Sequence, residues 1–214
     1  MPDVVTPPVL LLIWAVFGFL LGSVPFGIVM SRAFGLPDPR TVGSGNIGAT
    51  NVLRSGSRLA ALLTLVLDAG KAAFVVLIAR WLAADDAAQI AGFAAFAGHC
   101  YPIWLRFKGG KGVATYFGLL LALSPPIFLA ASAIWLATAA ISRYSSLAAL
   151  VAAGWIPVVV AVTGQGALFV FSCALCLVIY ARHWANIRRL RSKTEPKIGA
   201  KGSDQGATAP RPPE

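Results

Sequence analysis

Two glycine-rich, cationic segments of the sequence have the composition of anion-binding loops. The first covers residues 43–54 and ends in a single arginine, Arg54. The second covers residues 108–115 and carries Lys108 and Lys111 among three glycines. Glycine lets a backbone fold closely around a ligand, and the cationic side chains bind phosphate oxygens. Both segments therefore indicate a site for a phosphorylated substrate.

The first segment also contains polar side chains at helical spacing. If a short helix begins near Asn46, then Asn46, Thr50 and Arg54 lie four residues apart and form one polar stripe, which follows Ser44 and Gly45. All three side chains of the stripe are then expected to face one ligand. The ordinary alternative is a solvated helix that follows a glycine turn.

The second segment is not a nucleotide-binding P-loop. No strand precedes it, and Lys111 is followed by Gly112 rather than by serine or threonine, so nucleotide hydrolysis is not indicated. Taken alone, this segment is best interpreted as a cationic loop that only fixes the orientation of a membrane protein. The presence of two such segments favours phosphate binding.

A third polar element follows the last apolar run of the sequence. His183 and Asn186 are three residues apart and so share one face of a helix. Histidine holds a phosphate or a hydroxyl near neutral pH, although a lone histidine at an interface is more often structural. The neighbouring Arg182 and Arg189 are expected to face lipid headgroups. Ser146 is expected to add a hydroxyl to the site or to cap a helix.

Asp68 and Lys71 are three residues apart within an apolar run. An unpaired charge in a membrane costs at least ~2.5 kcal/mol, so both are expected to face the interior of a helix bundle. Two roles stay open for them, an ion pair that orders the helix and direct contact with substrate.

The composition requires these residues to be held by membrane-spanning helices. Hydrophobic residues make up 57% of the 214-residue chain and charged residues 12%, and the mean hydropathy is +0.75, all of which is typical of a multi-pass membrane protein. We expect an all-α bundle of seven transmembrane helices, although the fourth and fifth runs could form one broken unit. The runs lie at residues 9–31, 59–82, 87–105, 112–123, 125–141, 146–163 and 166–182.

The distribution of charge predicts how the bundle is oriented. With seven spans, one set of loops holds nearly all of the arginines and lysines, while the other holds Asp85, Asp86 and the neutral turn at 164–166. The positive-inside rule then places the N-terminus outside and the C-terminus in the cytoplasm, with both glycine-rich segments on the cytoplasmic side. The net charge of +10 therefore points to the membrane surface and an acidic substrate, and not to nucleic acid.

We predict one membrane domain, residues 1–190, followed by a basic and disordered cytoplasmic tail, residues 191–214. No removable signal peptide is expected. The three cysteines are interpreted as packing residues, because no histidine is spaced with them for a zinc site. The eight acidic residues are scattered, so no metal site is expected. No cofactor is predicted either.

Taken together, the motifs resemble those of the bacterial membrane glycerol-3-phosphate acyltransferases that use acyl phosphate as donor, the PlsY family. The resemblance extends from about residue 20 to 199. Lys193 departs from it, because the family has glycine at that position. The resemblance is carried by the sequence SGNIGATN with Arg54, by FKGGKGVAT at 107–115, by HWANI at 183–187, and by lesser matches that include Asp68 with Lys71, His99, Ser146 and Glu195.

The resemblance implies a seven-helix enzyme of the bacterial inner membrane. It would transfer an acyl group from acyl phosphate to the sn-1 hydroxyl of glycerol 3-phosphate, as the first acylation of phospholipid synthesis. The implied catalytic residues are Ser44, Arg54, Lys111 and His183; the substrate-binding residues are Gly45, Asn46, Thr50, Asn51, Lys108, Gly109, Gly110, Gly112, Ser146 and Asn186.

Acyl phosphate already carries a good leaving group, so an acyl-enzyme intermediate is not required. Arg54 and Lys111 are expected to offset charge, and His183 and Asn186 to hold glycerol phosphate. Two candidates for the base stay open, His183 and a phosphate oxygen of the substrate itself.

The leading alternative function is a small anion transporter. It would need polar residues on both faces of the membrane, whereas here they gather on one. Acyltransferases that use histidine with aspartate five residues later are not indicated, because Trp104 and Arg188 stand at that distance from the two histidines.

Overall fold

The computed structural model describes residues 2–199, and helices make up the regular structure of this range. The expected all-α class is therefore confirmed for the described residues. Three 3-10 turns, at Pro39–Thr41, Ile103–Leu105 and Gly166–Leu168, lie between the helices. The helices of the described range are α1 Pro8–Gly22, α2 Phe26–Ala33, α3 Ala49–Arg54, α4 Arg58–Leu82, α5 Asp85–Cys100, α6 Val113–Leu123, α7 Pro125–Ser142, α8 Ser145–Val162, α9 Phe169–Arg182 and α10 Trp184–Arg191.

The first apolar run is a helix with a break in it. The break lies at 23–25, where Pro25 has no backbone N–H to continue the helical hydrogen bonds. The two parts α1 and α2 together form an apolar stretch of 26 residues. The break leaves the carbonyl of Val24 accessible to a side chain from a neighbouring helix.

Four helical stretches of the described chain are long and apolar enough to cross a bilayer. They are α1 with α2, α4, α7 and α8, and α9 with α10 makes a fifth stretch that is bent by 61°. Helices α5 and α6 have 16 and 11 residues, which is shorter than the ~20 residues of a straight crossing. Length and composition thus support four or five spans among these residues.

Small residues let the central helices approach each other closely. A Cβ added at Gly18 or Gly22 of α1 would collide with the carbonyls of Ala91 or Ala95 of α5, so the two backbones are in direct contact. Such close packing is the usual way that helices associate in a membrane, where apolar side chains gain little by leaving lipid. It fixes α5, whose last turn lies next to the second glycine-rich segment.

The outer surface of the bundle is apolar. Trp81, Ile141, Val162 and Leu177 are among the most exposed large hydrophobic side chains of the described chain. An apolar surface of this extent is unfavourable in water and is satisfied by lipid.

The chain continues past α10 and returns to the bundle. The backbone N–H of Ile198 donates to the carbonyl of Arg143 at 2.7 Å, and Lys197 lies over the ring of Tyr144 at 5.8 Å. These contacts attach residues just before 200 to the α7–α8 connection. Residues 200–214 of the predicted tail lie outside the described range.

Candidate active site

The first glycine-rich segment forms a loop and then a short helix. The prediction that this helix begins near Asn46 is wrong, because α3 begins at Ala49. Gly45 has φ +68 and Gly48 is extended, so the first helical hydrogen bonds are those from Asn51 and Val52 to the Gly48 carbonyl. Only Thr50 and Arg54 therefore share the predicted stripe.

Asn51 organises this loop from the inside. Its side-chain amide donates to the carbonyls of Pro39 and Val42, the latter at 2.8 Å. Its oxygen accepts from the Ser44 N–H at 3.1 Å and lies 3.5 Å from a guanidinium nitrogen of Arg54. Asn51 is fully buried, and its polar atoms orient two predicted catalytic residues.

The glycines of the second segment are fixed through their amides. The N–H of Gly109 donates to the Cys100 carbonyl at 3.2 Å, and that of Gly110 to the His99 carbonyl at 3.1 Å. These carbonyls belong to the last turn of α5, which has no further helical partners for them. The two N–H groups thus hold the loop against the end of α5.

Arg182 holds the same two glycines from the other side. Its guanidinium donates to the carbonyls of Gly109 and Gly110 at 2.8 and 3.0 Å, and it stacks over the Tyr101 ring at 5.0 Å. The prediction that Arg182 faces lipid headgroups is therefore wrong. The two loop carbonyls occupy guanidinium donors that would otherwise be available to lipid phosphates.

Lys111 leads from this loop into α6. Gly112 after it has φ +80, and a Cβ there would collide with the ring of Phe96, so the turn requires glycine. Burial lowers the pKa of Lys111 to about 8; Glu195 opposes this shift, and the positive charges of Arg189 and Arg54 add to it. Lys111 is thus a partly buried ammonium among other cations.

His183 lies in the break between α9 and α10 and is fully buried. Its Nδ1 is 2.8 Å from the Ile179 carbonyl, which can only accept, so Nδ1 carries the proton and Nε2 is an acceptor. Burial, followed by the charge of Lys111, lowers the pKa of His183 to about 4. The histidine is therefore neutral at pH 7.

Glu195 joins the last helices to the site. Its Oε1 accepts from Ser146 at 2.7 Å and from Asn186 at 2.6 Å, and its Oε2 accepts from Arg189 at 2.7 Å. The prediction that Arg189 faces headgroups is wrong, because this buried carboxylate is its partner. Lys193 has φ +58, a left-handed conformation that glycine adopts freely, and the turn there still returns Glu195 to the bundle.

Replacing Glu195 by glutamine is expected to destabilise the protein by about 1–3 kcal/mol at neutral pH, because Arg189 loses its charged partner. Burial alone would raise the pKa of Glu195, but the hydrogen bonds from Ser146, Asn186 and Arg189 outweigh burial and hold it below the ordinary 4.5. The stability that the carboxylate contributes is present above pH 4.5 and is lost as the pH falls through the lowered pKa.

The measurement is the unfolding temperature of wild type and Glu195→Gln in detergent as a function of pH. The difference between the two proteins should be largest at neutral pH and should shrink in acid. A difference that does not depend on pH would contradict a role for the ionised carboxylate.

The structure brings the three predicted segments together. Lys111 lies close enough to Arg54 for the charge of the arginine to lower the pKa of the lysine. The charge of Lys111 in turn lowers the pKa of His183. The negative charge of Glu195 raises the pKa of Arg54, Lys111 and His183. Ser44 is half-buried, and Asn51 contacts both Ser44 and Arg54. Gly45, Thr50 and Lys108 are exposed at the rim of the site. The described residues thus form one cationic site around a single carboxylate.

Metal binding finds no ready site here. Among residues 2–199, no group of three histidine, cysteine, aspartate or glutamate side chains is arranged to hold a metal ion. What the site offers instead is two cations, a neutral imidazole with a free acceptor, and the amide and hydroxyl of Asn186 and Ser146. This set suits two anionic molecules whose reaction needs orientation and neutralisation of charge.

Glu195 is a buried residue of this site that is absent from the predicted catalytic and substrate-binding residues. In the sequence it lies beyond the third motif, within residues 191–214, whose composition predicts a disordered tail. A lone acidic residue next to the cationic end of a helix is a weak signal of a buried carboxylate. Only the fold shows that its partners come from α8 and α10.

Known proteins resemble this chain over most of its length. The family model described as glycerol-3-phosphate acyltransferase matches residues 12–193. The glycerol-3-phosphate acyltransferase of Jannaschia sp. strain CCS1 is 60% identical over 198 residues, which are 92% of this chain and 98% of that protein. The protein of the same name from Ruegeria pomeroyi is 56% identical over 95% of this chain and all of its own length.

Solved structures agree with the sequence matches. The crystal structure of PlsY, an integral membrane glycerol 3-phosphate acyltransferase, in its glycerol 3-phosphate form has a TM-score of 0.83 to this chain at 36% identity, and it covers 88% of this chain and 96% of its own. Its lysophosphatidic acid form has a TM-score of 0.82. With a family match and relatives that span nearly the whole sequence, this protein belongs to the glycerol-3-phosphate acyltransferase family.

Proposed function

We propose that this protein transfers an acyl group from acyl phosphate to the sn-1 hydroxyl of glycerol 3-phosphate. The products are 1-acyl-glycerol 3-phosphate, which is lysophosphatidic acid, and inorganic phosphate. The observation that carries the proposal is the convergence of Arg54 and Lys111, from two distant loops, next to a neutral His183 and Asn186. Two PlsY structures, the glycerol 3-phosphate form at 36% identity and the lysophosphatidic acid form at 35%, support the acceptor and the product.

The reaction needs positioning more than covalent chemistry from the protein. The glycerol hydroxyl oxygen attacks the acyl carbon, the bond from that carbon to the phosphate oxygen breaks, and phosphate leaves with the bonding electrons. Arg54 and Lys111 stabilise the charge on the departing phosphate, while His183 and Asn186 hold the acceptor. Ser44, oriented through Asn51, lies beside Arg54 to receive the donor.

The base in this mechanism is a phosphate oxygen of the substrate. Nε2 of His183 can accept a hydrogen bond from the hydroxyl, but a group with a pKa of about 4 takes a proton poorly at pH 7. A phosphate oxygen has a second pKa of about 6 and is better matched. His183 therefore orients the hydroxyl and does not retain its proton.

His183→Ala is expected to lower kcat and to leave the shape of the pH–rate profile unchanged between about pH 5 and 8, since the wild-type histidine does not titrate there. The measurement is kcat against pH for both proteins at saturating substrates. Loss of an acidic limb near the ordinary histidine pKa in the variant would assign the base to His183 instead.

The test of the proposed function is an assay of purified protein in detergent. Acyl phosphate and glycerol 3-phosphate together should release one phosphate for each lysophosphatidic acid formed, and acyl-CoA should not replace acyl phosphate. Uptake of labelled glycerol 3-phosphate into proteoliposomes without an acyl donor would favour a transporter. Equal turnover with acyl-CoA would show that the donor is wrongly assigned.

We further propose seven spans, with the N-terminus outside, the C-terminus in the cytoplasm, and the site at the cytoplasmic face of a bacterial inner membrane. Support comes from the distribution of cations, and from α5 and α6, which can cross if they are extended by their flanking turns or if the bilayer thins locally. In a cysteine-free background, Arg106→Cys should be protected from an impermeant maleimide in intact cells, and Ala83→Cys should be labelled. The reverse pattern would invert the orientation.

A further inference from the structure

A cluster of three ionisable side chains lies buried between α4 and α5, outside the cationic site. Nζ of Lys71 is 2.7 Å from Oδ1 of Asp68 and 3.1 Å from Nδ1 of His99. All three residues are at most 5% exposed. Buried charges of this kind are costly unless they are paired and fully hydrogen-bonded, so their contacts decide what they do.

The donors of Lys71 determine the state of the cluster. An ammonium has three N–H donors, and Lys71 has three partners: Asp68, His99 and the carbonyl of Val24 at 2.8 Å. For the third donor to be used, Nδ1 of His99 must accept, so its proton is on Nε2. The longer 3.5 Å approach of Nδ1 to Asp68 is the weaker alternative. All three donors of the ammonium are then satisfied.

The cluster is connected to the first glycine-rich loop through α2. Val24 lies in the break between α1 and α2, where its carbonyl can accept from Lys71 because Pro25 interrupts the helix. One turn further on, α2 packs against the loop: a Cβ at Gly27 would collide with the Ile47 carbonyl. The position of α2, and with it the loop that carries Arg54, therefore depends on the Lys71 contact.

The cluster is connected to the second glycine-rich loop through His99. A Cβ added at Gly110 would collide with Nε2 of His99, so the imidazole lies directly against the loop backbone that precedes Lys111. The orientation of that ring is set at Nδ1 by Lys71. Lys71 is thus linked to the first anion-binding loop through α2 and to the second through His99.

We propose that Asp68, Lys71 and His99 are positioning residues that set the separation between Arg54 and Lys111. They touch neither substrate in this account, and they act through α2 and through Gly110. The inference rests on the proposed function, because the separation matters only if both cations serve one reaction. Small errors in such a separation are expensive, since a shift of about 1 Å costs roughly 100-fold in rate.

The test compares two replacements of His99. Asparagine keeps an acceptor near the position of Nδ1, whereas leucine has none, so His99→Asn should retain more activity than His99→Leu. We expect kcat/KM for glycerol 3-phosphate to fall about 10- to 100-fold in His99→Leu. Asp86→Asn serves as the matched control, because Asp86 is a buried carboxylate at the other end of α5, bound to Thr6 at 2.7 Å. It should lower the unfolding temperature and leave kcat/KM unchanged.

A compensation experiment separates positioning from a loss of folded protein. Gly110→Ala should lose activity through its collision with His99, and the shorter side chain in the double variant His99→Asn/Gly110→Ala should restore part of it. No recovery in the double variant, or His99→Leu equal to wild type, would overturn the proposal. Because wild type is assayed first with acyl phosphate, failure of the proposed function is seen separately, as absence of phosphate release in every protein.

Discussion

Replacing Arg54 by alanine is expected to lower kcat/KM for acyl transfer by about 1000-fold, the upper range for removal of one donor that stabilises developing charge. The guanidinium is half-buried, lies within the electrostatic range of Glu195, and is 3.5 Å from the side-chain oxygen of Asn51. Two anionic substrates must approach each other, and without this cation their repulsion is not offset. The measurement is phosphate release at varied concentrations of both substrates, together with the unfolding temperature.

Two further variants make the Arg54 result specific. Arg54→Lys keeps the charge but loses the planar fork, so it should lie between wild type and Arg54→Ala. Arg58→Ala removes an exposed cation from the start of α4 and should turn over like wild type. An Arg58→Ala defect as large as that of Arg54→Ala would mean that total charge matters and a defined site does not.

Lys111→Ala is expected to have an effect as large as that of Arg54→Ala, and a much larger one than Lys108→Ala. Lys111 is partly buried among the groups of the site, whereas Lys108 is exposed at the rim of the same loop. Because the two lysines are three residues apart in one loop, both contribute in the same way to the orientation of the protein in the membrane. They differ in their distance from the site. Equal losses from both replacements would favour a loop that only orients the protein in the membrane.

The pH dependence of Lys111 gives a second measurement on the same residue. Because burial lowers its pKa to about 8, the ammonium loses its proton as the pH rises through that value, and kcat/KM should decline on the alkaline side. Lys111→Arg, which stays protonated, should lose this limb even if its rate is lower. An alkaline limb that survives in Lys111→Arg would belong to another group.

The residue types and the spacing of the sequence predict much of this molecule. The apolar runs anticipate the positions of the helices, and the three polar segments do converge. The buried Asp68 and Lys71 pair was also expected, because a charge in an apolar run has to find a partner. The positions of the helices and the buried pair follow from composition and periodicity, which are local, whereas the convergence of the polar segments rests on the distribution of charge among the loops.

The errors arise where a side chain has two possible partners. Arg182 and Arg189 look like headgroup ligands in the sequence, yet one binds the carbonyls of Gly109 and Gly110 and the other binds Glu195. The start of α3 was placed too early because Gly48, which is extended, interrupts the apparent stripe. The partner that a side chain binds depends on distant segments of the chain, so no local sequence pattern predicts it.

The most direct test of the central claim is an experimental structure of this protein with glycerol 3-phosphate bound. If segments far apart in the sequence form one site, the bound molecule should lie within reach of Lys111, His183 and Asn186, with Arg54 on the side where the donor enters. A glycerol 3-phosphate bound elsewhere, with these four residues untouched, would contradict the account.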